Sequence, residues 1–181
     1  MTNRRPVVGV MGSGVDPHVE KCRELGPALA DLGVHLLTGG GGGVMAEISR
    51  AFSQAPEREG RVIGVLPCAD VSTPKRLPPG YPNRWVEIPI ATHLAARGAQ
   101  GGDVDSRNHI NVLSSDAVVV LPGGAGTASE AALAIQYGRP VVAFLDRQDE
   151  VPGLPRDLRV VDSAARVVAF LVSALRDWPD R

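Results

Sequence analysis

A chain of 181 residues, 44% hydrophobic and 22% charged, has the size and balance of one globular domain that buries about two thirds of its unfolded surface. Its formal net charge of −1 gives no general attraction to nucleic acid or to an anionic membrane, so any anion site must be local. Two cysteines without a CxxC pair argue against a disulfide framework and a zinc cluster, and no stretch approaches the roughly 20 apolar residues of a membrane helix.

The opening Met-Thr-Asn-Arg-Arg-Pro runs into an apolar stretch too short for a signal peptide, which points to a cytoplasmic protein. Residues 6–11 read as a strand, about 18–32 as a helix and 34–37 as a second strand. The next helix opens near Gly43, with Val44, Met45, Ile48 and Phe52 on one face at helical spacing. Residues 61–66 form a third strand. Five prolines then break regular structure across 67–83, and 84–90 is a weaker strand-like run. Residues 105–114 read as a helix, 117–121 as a buried strand, 127–137 as a helix, 140–145 as a strand and 163–176 as a final amphipathic helix.

Runs such as Val118-Val119-Val120-Leu121 do not alternate with polar residues. Such strands are covered on both faces, which predicts an α/β chain with a mainly parallel sheet between helix layers. The expectation is a single Rossmann-like three-layer domain over residues 1–181. The irregular stretches 67–83 and 91–104 are either site loops or plain surface connections.

The strongest chemical signal is Leu121-Pro122-Gly123-Gly124-Ala125-Gly126-Thr127-Ala128-Ser129-Glu130, which leaves a buried strand and opens a helix. Ligands of parallel sheets bind at that junction. Glycines allow close backbone approach there, and unpaired N–H groups at the helix start attract phosphate. A bare turn is the alternative, but it seldom needs three glycines in four residues. Thr127-Ala128-Ser129-Glu130 also fits a capping box with Thr127 at the N-cap, which by itself accounts for the Glu130 carboxylate.

Gly39 to Gly43 are five consecutive glycines between a strand and a helix, followed by Val44 and Met45. Backbone contact of Gly41, Gly42 and Gly43 with phosphate or ribose explains them; a hinge is the alternative. The first turn, with Gly12 and Ser13, joins the same pocket. It is not a dinucleotide fingerprint, because position 17 is proline, and no Walker A sequence is present.

Arg107, early in its helix, stands at the unfavourable end of the helix dipole unless it holds an anion. A salt bridge with Asp103, Asp105 or Asp116 is the plainer alternative. The histidines at 18, 35, 93 and 109 show no metal-ligand spacing, so no metal is expected. Without a GxSxG elbow, serine hydrolase chemistry is disfavoured. Lys21 and Lys75 lie outside the glycine motifs, which disfavours a pyridoxal phosphate Schiff base. No cofactor is expected.

Pro122-Gly123-Gly124-Ala125-Gly126-Thr127-Ala128-Ser129-Glu130 resembles the PGGxGTxxE signature of the LOG family, the cytokinin riboside 5′-monophosphate phosphoribohydrolases once labelled lysine decarboxylases. The resemblance spans about residues 6–145. The family's GGGxxGLMG reads here as GGGGGVMA, and its Arg-Lys pair reads as Arg107-Asn108, which places the chain nearest the molybdenum cofactor carrier-like branch. The resemblance implies hydrolysis of the N-glycosidic bond of a nucleoside 5′-monophosphate, with Glu130 and Arg107 catalytic. Gly12, Ser13, Gly41, Gly42, Gly43, Met45, Asn108 and the segment from Pro122 to Thr127 would bind substrate and phosphate. The carrier-like branch implies instead a non-catalytic binder of a nucleotide or phosphorylated pterin. Both imply a phosphorylated small-molecule partner and a homodimer or higher homo-oligomer. A purely protein-binding adaptor would leave the paired glycine clusters without a role.

Overall fold

Valine-rich runs without polar alternation become strands covered on both faces. In the computed structural model, which describes residues 4–176, they are β1 (Val7–Met11), β2 (His35–Thr38), β3 (Val62–Leu66), β4 (Ile88–Ala91), β5 (Ala117–Val120), β6 (Val141–Phe144) and β7 (Val160–Val161). The helices are α1 (Val19–Asp31), α2 (Val44–Ser53), α3 (Asn108–Leu113), α4 (Ala125–Gln136) and α5 (Ala164–Ala174). The expected domain of residues 1–181 extends past both limits; 1–3 and 177–181 lie outside the described residues.

All seven strands pair parallel in the order β4-β3-β2-β1-β5-β6-β7. Strands are added outward from β1 in both directions, so the connection changes sides between β1 and β5. Their register sets Met11 beside Val120, and both strands end at the same level. That is the topological switch point of an open α/β sheet, where ligands bind beyond the carboxyl ends of the strands.

Alternation along β5 divides the core. Ala117 and Val119 face the layer built by Cys22, Leu25 and Leu29 of α1, Ile48 and Phe52 of α2, and Val167 and Leu171 of α5. Val118 and Val120 face Val112 of α3 and Ala131 and Ala134 of α4. The result is the expected three-layer, Rossmann-like sandwich. Burial, with Glu47 nearby, pushes the Cys22 thiol up to about 12, so this cysteine is a core residue rather than a nucleophile.

Several boundaries move. β4 begins at Ile88 instead of residue 84, and Glu87 just before it ties the chain to Arg58, Arg61 and the Val62 N–H. The two-residue β7 was not foreseen; a strand that short leaves no periodic trace. α4 starts at Ala125 with Gly124 as its N-cap and no side-chain cap, so the expected capping box is not formed. Thr127 lies inside the first turn, and Glu130 is one turn further along, free of any capping duty. α3 starts at Asn108, with Arg107 at its N-cap.

Candidate functional site

Three strand-to-helix turns meet at the switch point, and Ser13 joins them. Its N–H donates to the Pro122 carbonyl (2.9 Å), and its own carbonyl accepts the Val44 N–H (2.8 Å). The Ser13 hydroxyl accepts the N–H groups of Val15 and Asp16, which closes the turn after β1. Gly43, at φ 57°, allows the five-glycine segment to press its backbone on Ser13 and Gly14. The two glycine-rich motifs therefore face each other across the first turn, as a shared pocket requires.

Beyond these turns lies a cavity of about 420 Å³. Gly12, Ser13, Met45, Arg107 and Asn108 line it. Gly124, Ala125, Gly126, Thr127 and Glu130 line it from the start of α4. Gly41, Gly42, Gly43, Pro122 and Gly123 are not among its lining residues; Gly41 abuts Tyr81 and Met45, Gly42 approaches the Gly14 carbonyl, and Gly43, Pro122 and Gly123 build the frame around Ser13. The first N–H groups of α4 have no intrahelical acceptor and carry the positive end of its dipole.

Arg107 is only 4% exposed, and its Nε and Nη1 have no hydrogen-bond partner. Its guanidinium lies flat against Gly39, where a side chain would collide with it, and faces the Tyr81 ring at 5.9 Å from the centroid. The salt-bridge alternative fails: among the described residues Arg107 makes no ion pair, and Asp116 is engaged by Arg4 and the Val7 N–H. Leaving a guanidinium buried and unpaired costs free energy unless an acceptor arrives.

Glu130 is 8% exposed, and its Oε1 accepts the Asn111 Nδ2–H at 2.8 Å. Burial raises its carboxyl above the usual carboxylate range, while the Arg107 charge and the Asn111 hydrogen bond pull the other way. A buried carboxylate and a buried arginine thus share one cavity with a helix start. Among the described residues no group of three His, Cys, Asp or Glu side chains is arranged to hold a metal ion, and no helix is long and apolar enough to cross a membrane.

Four further residues belong to this site. Gly39 makes room for Arg107. Tyr81 comes from the proline-rich stretch, which Asn83 pins down by donating its N–H to the Gly40 carbonyl and its Nδ2–H to that of Gly41. Arg97 comes from the second irregular stretch, so both stretches reach the cavity. Asn111 had a legible signal: it stands four residues after Arg107, the spacing that puts two side chains on one helix face.

A parallel sheet with its polar groups gathered at the switch point in this way is the fold of LOG-like nucleotide-binding proteins. The chain belongs to the SLOG cluster4 family, whose profile matches residues 5–168. A protein of Archaeoglobus fulgidus, described only as uncharacterized, is 30% identical over 169 residues, covering 92% of this chain and 95% of that protein. Two solved structures are similar over 96% of this chain and 99% of theirs. The molybdenum cofactor binding protein of Rippkaea orientalis has a TM-score of 0.72 at 29% identity. The molybdenum cofactor carrier protein of Chlamydomonas reinhardtii has a TM-score of 0.71 at 30% identity. The structure of TM1055, with a TM-score of 0.69 at 22% identity over 93% of this chain and 99% of its own, shares the fold.

Proposed function

We propose that the cavity binds a nucleoside 5′-monophosphate and that Glu130 and Arg107 promote hydrolysis of its N-glycosidic bond. One observation carries this reading: a buried arginine with two unpartnered nitrogens and a buried carboxylate held by Asn111 line a cavity that opens on the first turn of α4. The phosphate rests on the amides of Ala125 to Thr127. In the reaction, the bond from ribose C1′ to the base nitrogen breaks and a water oxygen bonds to C1′, giving free base and ribose 5-phosphate. The sugar becomes oxocarbenium-like on the way. Glu130, held by Asn111, orients the water or a ribose hydroxyl, and Arg107 stabilises negative charge on sugar or phosphate. The protein acts in the cytoplasm as a homodimer; the exposed Leu113 and Ile135 at the C-terminal ends of α3 and α4 support a packed twofold, and a monomeric mass by light scattering would refute it.

The test is incubation with a panel of nucleoside monophosphates. Free base should be released, and Glu130→Gln should stop the release while leaving the fold intact. A buried carboxyl whose folded pKa is raised destabilises the fold above its unfolded pKa, so the neutral glutamine variant should melt no lower than the parent at pH 7. No release from any substrate would remove the enzymatic reading.

A second reading, a carrier that binds a phosphorylated pterin such as molybdenum cofactor without turnover, is favoured by the two similar structures named for that cofactor. It predicts ligand-induced thermal stabilisation with no product, and measured hydrolysis would exclude it.

A further inference from the structure

We propose that Arg97 recognises the anionic group of the ligand, so that the cavity reads a phosphomonoester with a guanidinium at its mouth as well as with the first turn of α4. The inference rests on the binding site proposed above and names the residue that separates a phosphorylated ligand from its uncharged counterpart.

Arg97 is exposed and lines the cavity, and among the described residues its side chain makes no hydrogen bond or ion pair. Arg61, Arg147 and Arg166, also exposed, are tied to Glu87, Asp149 and Asp162; Arg23, Arg76 and Arg156 are as free as Arg97 but do not line the cavity. The backbone that carries Arg97 is fixed on both sides. Ala96 before it is buried and bridged to Ser106, next to Arg107. Gly98 after it, at φ 60°, lies against α4: a Cβ on Gly126 would stand 3.2 Å from the Gly98 Cα and carbonyl oxygen. This turn therefore rests on the very turn whose amides are open. Gly101 completes the docking, packed close to the Asn108 amide and, within 2.8 Å of a would-be Cβ, the Ser129 hydroxyl.

The charges lining the cavity are those of Arg97, Arg107 and Glu130, with the positive end of α4 added. In a chain of net charge −1, this is a local positive field in a cleft, the arrangement that concentrates an anion. The two arginines differ in depth. Arg107 is enclosed by Gly39 and Tyr81 with two nitrogens unsatisfied, which is independent evidence that the cavity receives acceptor atoms. Arg97 stands at the solvent edge beside the α4 amides, where the terminal oxygens of a phosphomonoester are available for a forked hydrogen bond.

Isothermal titration calorimetry with adenosine monophosphate, adenosine and inorganic phosphate tests this on the parent, Arg97→Ala and Arg97→Lys. Arg97→Ala should weaken adenosine monophosphate and inorganic phosphate about tenfold or more and leave adenosine as in the parent. Arg97→Lys should recover part of the loss, and added salt should shrink the difference. Equal affinities for the monophosphate in parent and Arg97→Ala, or equal losses for monophosphate and adenosine, would overturn the proposal. A parent that binds inorganic phosphate through Arg97 but no nucleoside monophosphate leaves this inference standing and removes the nucleotide reading. A parent that binds neither overturns both.

Discussion

Gly39→Ala should disable the site while sparing the fold. The Gly39 backbone is not in the left-handed region, so alanine fits its conformation and, by restricting the unfolded chain, contributes about 0.4–1 kcal/mol of stability. The new methyl group, however, would lie 2.7 Å from Arg107 Cζ and closer still to both terminal nitrogens, against an ordinary contact of 3.4 Å. The guanidinium must retreat by at least about 0.7 Å, and the empty side is the cavity itself. Misplacing a catalytic group by about 1 Å costs on the order of 100-fold in rate. Turnover of a nucleoside monophosphate should fall by that order, or ligand affinity by about tenfold in a carrier. The melting temperature should stay within about 4 °C, the shift that 1 kcal/mol produces in a domain of this size. Unchanged rate and affinity would refute the assignment of Arg107 as a positioned ligand group. Loss of the fold would show instead that Gly39 is structural.

Two other substitutions probe what supports the site. Asn111→Leu removes the donor to Glu130 and with it one of the two influences that favour the charged carboxylate, so the acid limb of the pH–rate profile should move to higher pH while KM changes little. An unmoved limb would mean that Asn111 only fills space. Glu87 resists its partial burial because Arg58, the Val62 N–H and Arg61 hold its carboxyl down at about 2. Its stabilising effect is complete above the ordinary value of 4.5 and fades as pH falls towards 2. Glu87→Gln should therefore lower the melting temperature at pH 7 by a few degrees and flatten the acid dependence in that window; equal acid sensitivity in both proteins would contradict the ion-pair account.

The elements and their class were written in the chain itself. Unbroken apolar runs such as Val118 to Leu121 demand burial on both faces, and only a parallel sheet between helix layers supplies it. The glycines beyond residues 38 and 121 marked the two turns of the site, because dense glycine is costly without close backbone approach. What local pattern misjudged was the start of α4. Thr127 and Glu130 have the spacing of a cap, yet the N-cap is Gly124, three residues earlier, and a carboxylate that reads as a cap becomes a buried wall of the cavity. Tertiary structure alone decided the rest: that Arg107 finds no carboxylate, that Gly39 is its bed, and that Tyr81 and Arg97 arrive from loops without periodicity. These facts depend on which strands become neighbours. Contacts across the switch between β1 and β5 join residues more than a hundred positions apart, a separation that no local sequence pattern encodes.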